Sequence, residues 1–238
     1  MHNNRLRLRV ILIVGLGVTG IQAQTTVKDN DGNVYKTVSI GTQVWMAENL
    51  QVTTYNDGST IPKVSRAIAW KKVTTGAYCN YKNDQSNVAT YGRLYNWNAV
   101  NTGKVCPTGW HVPTNAEWEI LENYLIANGY NYDSSTTDNL IAKAIASSYG
   151  WECDTFEGTI GNTDYPEKQN ATGFTALPGG YRDFVGKFCN IGKSSYWWSS
   201  TEINTSYVIC RGLYFYYFSL IESKFNKGSG LSVRCVRD

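Results

Sequence analysis

The sequence Tyr91-Gly92-Arg93-Leu94-Tyr95-Asn96-Trp97 leads through Cys106-Pro107-Thr108-Gly109-Trp110-His111-Val112-Pro113 to Glu117-Trp118. This stretch of 28 residues holds three tryptophans, two prolines and one cysteine. Bulky and conformationally restricted residues at this density indicate a specific packed junction. Thr114 and Glu117 also have the spacing of a capping box, which predicts a helix that begins there and ends at Gly129.

Outward from this junction, the pattern predicts strands, then two helices, then long loops and further strands. Turn residues separate three predicted strands before the junction, at Thr25–Lys28, Val34–Ile40 and Gln43–Met46. A second helix is predicted over Asp138–Tyr149 from the spacing of its apolar residues. After it, we expect strands at Tyr196–Thr201, Tyr207–Phe218 and Leu231–Arg237. The order indicates an α+β fold in which the last strand returns to the sheet.

The N-terminus has the pattern of a secretory signal peptide at residues 1–23. Arg5, Arg7 and Arg9 precede an apolar segment of about nine residues, Val10–Val18, which is too short to span a bilayer. We therefore expect an exported protein with no stable membrane span after cleavage, located in the periplasm, on the outer cell surface or outside the cell. Residues 24–238 lack a linker or repeat, which indicates a single domain.

The charge balance argues against nucleic-acid binding. Three of the 22 Lys and Arg residues lie in the leader, so 19 bases remain against 19 acids. Nucleic-acid binding needs basic residues clustered on one face, and Lys71-Lys72 is the only adjacent pair. The mature chain is formally neutral, and we expect no nucleic-acid partner.

A series of ordered motifs resembles the Fibrobacter succinogenes major paralogous domain family of exported bacterial proteins. Besides the central stretch, the motifs are Asp31–Tyr35, Trp45–Leu50, Tyr78–Tyr81, Gly173–Arg182, Tyr196–Glu202 and Ser232–Asp238. The resemblance covers nearly all of residues 24–238. It implies a C-type-lectin-like fold, also similar to that of formylglycine-generating enzymes, with two helices flanking short antiparallel sheets and long loops.

The family pattern has cysteine mainly at the positions of Cys79, Cys106 and Cys235, and the resemblance implies a disulfide between Cys106 and Cys235. The pairing of Cys79, Cys153, Cys189 and Cys210 is left open. An exported chain permits up to three disulfides among its six cysteines.

Few residues are candidates for catalysis or metal binding. His111 is the only histidine of the mature chain, and its apolar neighbours favour a packed side chain bonded to backbone over a catalytic one. Cys210 is set in a strand pattern, which disfavours a reactive thiol. A single histidine excludes multi-histidine metal sites and leaves calcium bound by carboxylates as the plausible metal. The tripeptides Glu-Pro-Asn and Trp-Asn-Asp, which calcium-dependent sugar binding would need in a lectin-like fold, do not occur, so we predict neither a metal nor another cofactor.

The candidate ligand-binding residues are aromatic and charged residues of the last third of the chain: Trp197, Trp198, Tyr181, Arg182 and Asp183. Consecutive strand residues point to opposite faces, so one of the two tryptophans is expected in the core and the other near Tyr181. An exposed Trp beside Tyr and Arg suits stacking on sugar rings or anchoring a protein. The competing interpretation buries both tryptophans.

These observations favour a non-catalytic binding or adhesion module with glycans or surface proteins as ligands. One alternative is an enzyme related to formylglycine generation, and another is a structural tip or cap of a surface appendage. The second alternative predicts an exposed edge strand that accepts a partner strand.

Overall fold

The computed structural model describes residues 25–238. The predicted signal peptide therefore lies outside the described residues. The described chain contains twelve strands, five α-helices and three short 3-10 helices, with long irregular connections between residues 146 and 178. The strands are β1 Thr26–Lys28, β2 Val34–Ile40, β3 Gln43–Met46, β4 Tyr78–Cys79, β5 Leu94–Tyr95, β6 Trp110–His111, β7 Gly179–Arg182, β8 Phe188–Ile191, β9 Ser194–Glu202, β10 Tyr207–Tyr214, β11 Ile221–Asn226 and β12 Val236–Arg237. The helices are α1 Ala67–Lys72, α2 Val88–Tyr91, α3 Trp97–Val100, α4 Asn115–Ala127 and α5 Ala142–Ile145.

Two five-stranded sheets dominate, and nearly all of their strand pairs are antiparallel. The first has the order β1-β2-β3-β12-β6 and the second the order β11-β10-β9-β7-β8. The final strand β12 returns to the first sheet, as the sequence predicted. It lies between β3 and β6, because Val236 pairs with both Trp45 and His111. The coarse prediction of a mixed fold with short antiparallel sheets, long loops and few helices is confirmed.

The N-terminal hairpin forms where the sequence places it. Asp29 Oδ1 accepts hydrogen bonds from the backbone N–H of Asp31 and Asn33, and Gly32 completes the turn at φ 89°. An Asx turn of this kind replaces the backbone hydrogen bonds that a strand would otherwise make. It joins β1 to β2, whose bounds match the predicted strand at Val34–Ile40.

The first predicted helix is confirmed as α4. The Thr114 hydroxyl accepts from the Glu117 N–H, and the Glu117 carboxylate accepts from the Thr114 N–H, which completes the capping box. Trp118, Leu121 and Leu125 are buried on one face of the helix. That face packs into the cluster formed by Trp45, Phe174 and Trp197, where about 25 cal/mol per Å² of buried apolar surface stabilises the fold.

The second predicted helix, Asp138–Tyr149, is wrong except for one turn at Ala142–Ile145. Asp138 has a left-handed φ of 57°, which breaks the helix at its start. At the other end, Ala146 is extended and forms a parallel bridge with Ala176. The long loop thus captures this backbone through the hydrogen bond from Ser147 N to the Ala176 carbonyl.

The predicted strands at the C-terminal end are partly shorter than expected. β10 ends at Tyr214, where a turn brings the Tyr217 N–H to the Tyr214 carbonyl. Leu231 and Ser232 form isolated bridges to Tyr95 and Trp197, so only Val236–Arg237 is a regular strand. β8 and β11 were not predicted from the sequence.

The disulfide between Cys106 and Cys235 is confirmed, and its two cysteines are separated by 129 positions in the sequence. It joins the segment before β6 to the segment before β12. Cys79 and Cys210 are buried free thiols, Cys153 is exposed and Cys189 is partly buried. The additional cysteines therefore form no further bridge in residues 25–238.

Candidate functional site

The five residues proposed from the sequence do not form an open surface. Trp197 and Trp198 are both fully buried, so the expectation that one of them is exposed is wrong. The physical reason is that β9 has neighbours on both faces: Trp197 enters the cluster with Trp118 and Phe174, and Trp198 enters the cluster around the disulfide.

The two indole N–H groups have internal acceptors. Trp197 Nε1 donates to Asn49 Oδ1 at 2.8 Å, and Trp198 Nε1 donates to the Tyr95 carbonyl at 2.7 Å. A buried indole whose N–H is satisfied inside the protein has no polar group to offer a ligand. Both tryptophans are part of the core.

The other three residues have internal contacts as well. Arg182 is 1% exposed, donates to three backbone carbonyls and stacks on Trp70 and Phe188. Asp183 accepts from two N–H groups of the turn that follows β7. Tyr181 is half-buried and packs edge-on against Tyr196. Ligand contact by Tyr181 and Asp183 stays a prediction.

His111 differs from its predicted setting in both burial and partners. Its side chain is 37% exposed and its ring nitrogens lie 2.6 Å from Asp238 Oδ1 and 2.7 Å from Glu117 Oε1. Burial lowers the pKa of His111, but the hydrogen bonds to the two carboxylates outweigh burial and raise it above the ordinary value. The histidine links helix α4 to the residue after β12 and has no nucleophile among these partners.

The thiol considered for oxidative chemistry is buried. Cys210 is 0% exposed, and desolvation by burial raises its pKa well above the ordinary value of a thiol. A reactive cysteine needs the opposite shift, toward the thiolate. Within residues 25–238, no group of three or more His, Cys, Asp or Glu side chains has the arrangement of a metal site.

Two of the surface cavities are neighbours and share one residue, Tyr149. Cavity A has a volume of about 360 Å³ and a mainly apolar wall. Cavity B has a volume of about 460 Å³ and a more polar wall. Both volumes lie in the range of about 300–1,000 Å³ that is usual for small-molecule sites. The Tyr149 side chain is 60% exposed between them.

Cavity A is formed by the loop that replaces the second predicted helix. Its wall consists of Ser147, Ser148, Tyr149, Trp151, Cys153, Ile160, Gly161, Asn162, Thr163, Asp164, Pro166 and Gln169. The Trp151 ring is partly buried and its Nε1 donates to the Ala176 carbonyl at 3.3 Å. This hydrogen bond holds the Trp151 ring in the same cavity wall that contains Tyr149.

A buried lysine holds the far wall of cavity A. The Lys143 side chain is 0% exposed, and its Nζ donates to the carbonyls of Asn162 and Asp164 at 2.7 Å and to Asp164 Oδ1 at 2.6 Å. The Asp164 carboxylate also accepts from the Gly158 N–H at 2.8 Å. A buried charge that is paired and fully hydrogen-bonded fixes the geometry of the loop, because any movement of the loop that separates the pair leaves a buried charge unsatisfied.

Cavity B lies where several of the family-like motifs meet. Its wall consists of Lys36, Ala47, Glu48, Asn49, Gln51, Ala89, Thr90, Gly92, Tyr149, Gly173, Thr175, Leu177 and Arg234. Asn49 Oδ1 accepts from both Trp197 Nε1 and Arg234 Nε, and Asn49 Nδ2 donates to the Tyr91 carbonyl at 2.8 Å. Trp197 therefore supports the floor of this cavity from the core.

Gly92 allows the central stretch to pass this close to Asn49. Its φ is 74°, and a Cβ at this position would lie 2.6 Å from Asn49 Cβ. Only glycine combines that backbone conformation with so close an approach. The position of Gly92 in the opening motif thus has a physical explanation at the wall of cavity B.

Sequence reasoning did not find Tyr149, Trp151, Asn49 or Arg234 as site residues. The signal that was available is the proximity of Tyr149 and Trp151 in a polar, glycine-containing segment, which is unusual for two core aromatics. Asn49 and Arg234 belong to recognised motifs, but their meeting depends on pairing between β3 and the chain end.

Comparison with known proteins identifies one family. The model of the Fibrobacter succinogenes major domain matches residues 38–237. Neither a curated protein nor a solved structure matches the chain. No helix in the part of the chain that the structure describes is long and apolar enough to cross a membrane.

Proposed function

This chain belongs to the Fibrobacter succinogenes major domain family, and we propose that it is an exported, non-catalytic binding module for glycans. The observation that carries the proposal is the exposed Tyr149 ring between an apolar and a polar cavity. Sugar rings have apolar C–H faces and polar hydroxyl edges, so an aromatic face next to hydrogen-bonding groups suits them.

The wall of cavity B supplies the polar groups that such a ligand needs, because it includes the amide residue Gln51 and the hydroxyl residues Thr90 and Thr175. In cavity A, the amide N–H groups of Asn162 and Gln169 already donate to backbone carbonyls. Amides and hydroxyls both donate and accept hydrogen bonds, as sugar hydroxyls do. Hydrogen bonds to the sugar hydroxyls would thus accompany stacking of the sugar ring on Tyr149.

Export is supported by the disulfide and by the sequence of residues 1–23. A buried disulfide between distant segments is typical of proteins that fold in an oxidising compartment. We propose the periplasm, the outer cell surface or the exterior as the location. Fractionation with N-terminal sequencing of the native protein tests this, and a cytoplasmic protein that retains Met1 would refute it.

We propose further that the fold is C-type-lectin-like in its finer topology. Three features support this: β12 lies beside β3, a disulfide ties the last strand to the segment before α4, and long loops follow α5. Superposition of an experimental structure of this chain on C-type lectin domains is the test. A different strand order in the superposed region would refute the assignment.

The appendage-tip alternative is less well supported by the edge strands. β11 is the longest edge strand of the two five-stranded sheets, and its exposed residues include Glu222 and Lys224. Charged residues on an edge strand oppose pairing with another strand. The enzyme alternative lacks an activated thiol, since burial raises the pKa of Cys210.

A glycan array with the purified mature protein is the first test, followed by calorimetry on the glycans that bind. Tyr149→Ala is expected to weaken binding more than about tenfold, because central aromatic contacts contribute about 2 kcal/mol or more. Tyr207→Ala is the matched control: Tyr207 is 42% exposed and lines neither cavity. The absence of any glycan ligand, or equal losses in the two variants, would refute the proposal.

A further inference from the structure

Arg234 lies at the floor of cavity B with an incompletely satisfied charge. The residue is 1% exposed, and its three hydrogen bonds reach uncharged oxygens: Asn49 Oδ1 at 2.9 Å, the Thr175 carbonyl at 2.9 Å and the Phe174 carbonyl. A guanidinium has five N–H donors, so two remain uncommitted. No carboxylate in residues 25–238 lies within ion-pair distance of Arg234.

A buried cation without an anion is costly, and two other buried cations of this protein, Arg211 and Lys143, avoid that cost. Arg211 meets Glu122 at 3.1 Å and Glu222 at 3.2 Å, and Lys143 meets Asp164. The free-energy cost of removing a charge from water is offset only by close pairing with an opposite charge. Desolvation by burial lowers the pKa of Arg234 to about 9, and the nearby Glu48 offsets this only in part.

Arg182 shows what a purely structural arginine looks like in this fold. It also donates to three carbonyls without a carboxylate, but it is stacked on Trp70 and Phe188 and lines neither cavity. Arg234 is stacked on Phe174 and also forms part of the wall of cavity B. Access to a cavity therefore distinguishes Arg234 from Arg182.

The remaining charges of cavity B leave it positive. Lys36 is exposed at its rim, and Glu48 is the only carboxylate in its wall. The Glu48 carboxylate already accepts a hydrogen bond from the backbone N–H of Lys36 at 2.8 Å. Two cations and one anion give the wall a formal charge of +1. An anionic group in this cavity would therefore meet a wall that contains both Lys36 and Arg234.

We propose that cavity B binds the carboxylate of an acidic sugar unit, with the sugar ring against Tyr149. This inference rests on the proposed glycan-binding function and names the chemical class of its ligand. Arginine binds carboxylates through two parallel hydrogen bonds, and Arg234 has two N–H groups left for them. The amide of Gln51 and the hydroxyl of Thr90, which line the same cavity, would form hydrogen bonds with the hydroxyls of that sugar ring.

The test compares an oligogalacturonate with its methyl ester, which has the same rings and no charge. We expect the ester to bind the mature protein about tenfold or more weakly, because a charged hydrogen bond is lost. Added salt should weaken binding of the acid and leave the ester unaffected. Lys36→Gln should weaken the acid about two- to fivefold, whereas Lys72→Gln, an exposed control outside the cavity, should not.

A second readout does not depend on an arginine variant that folds. In ¹⁵N-labelled wild-type protein, the Arg234 Nε–H resonance should move as the oligogalacturonate saturates the protein. Saturation without movement of that resonance would overturn the proposal. Sodium acetate with the same affinity as the oligomer would also overturn it, because the sugar would then contribute nothing.

Failure of this inference is distinguishable from failure of glycan binding. Equal affinities for acid and ester, with loss in Tyr149→Ala, would overturn the acidic-sugar site and leave the proposed function intact. Absence of binding by acidic and neutral glycans would overturn both.

Discussion

Reduction of the Cys106–Cys235 disulfide should remove a large part of the stability of the fold. The bridge spans 129 residues, and the chain-entropy relation gives a change of about 16–17 cal/mol/K for a loop of that length. At 298 K this corresponds to about 5 kcal/mol, which is comparable to the whole free energy of unfolding of many domains, about 5–15 kcal/mol. The value is an upper estimate because unfolded chains keep residual structure.

Urea denaturation with and without reductant measures the effect in the unmodified sequence. Reduction leaves both sulfur atoms in place, so no core volume is lost and the difference reports the cross-link. The m-value should rise on reduction, because the unlinked unfolded chain exposes more surface. The double variant Cys79→Ala/Cys210→Ala is the control. Both thiols are buried and free, so reduction should lower the free energy of unfolding of this variant by the same amount as that of the wild type.

If the free energies of unfolding of the reduced and oxidised protein differ by less than about 1 kcal/mol and the m-value does not change, the disulfide does not stabilise the fold by restricting the unfolded chain. Such a result would mean that β12 holds its place between β3 and β6 without the cross-link. An intermediate loss of about 2–4 kcal/mol is the usual measured range and would support the entropic account.

Three further changes have defined outcomes. Lys143→Met leaves Asp164 without its cation and should cost about 3–5 kcal/mol, measured by urea unfolding, with faster hydrogen exchange in the wall of cavity A; an unchanged midpoint would contradict the buried pair. The raised pKa of His111 means that its stabilising contribution is complete below about pH 6.5 and is lost as the pH rises through the folded-state pKa. In His111→Gln, the melting temperature should therefore fall less steeply than in the wild type as the pH rises above about 6.5. An equally steep fall in the variant would show that His111 is not its cause. Iodoacetamide should modify Cys153 in the native protein and Cys210 only after unfolding, as peptide mass spectrometry would show; rapid labelling of Cys210 would contradict its burial.

Local signals in the sequence predicted the local elements well. The capping box of α4, the turn at Asp31-Gly32 between β1 and β2 and the strand bounds of β2 and β3 depend on residues a few positions apart. The helix predicted at Asp138–Tyr149 failed because a distant segment, Ala176, captures its backbone. A tertiary contact of that kind has no signature within the helical pattern itself.

The candidate site was less predictable than the fold for the same reason. Alternation along β9 correctly places Trp197 and Trp198 on opposite faces, but it does not tell whether one face meets solvent or another layer. In the structure both faces are covered, by the cluster of Trp118 on one side and by that of the disulfide on the other.

The amino-acid sequence by itself determined the family, the pairing of Cys106 with Cys235 through that family, and the elements whose hydrogen bonds are local. The tertiary structure alone decided that both tryptophans of β9 are buried and that Tyr149 is exposed between two cavities. It also decided that Asn49 and Arg234, 185 positions apart, share one hydrogen bond at the floor of a cavity. Burial and long-range contacts depend on how the sheets and the long loop pack together, and packing is a property of the whole chain.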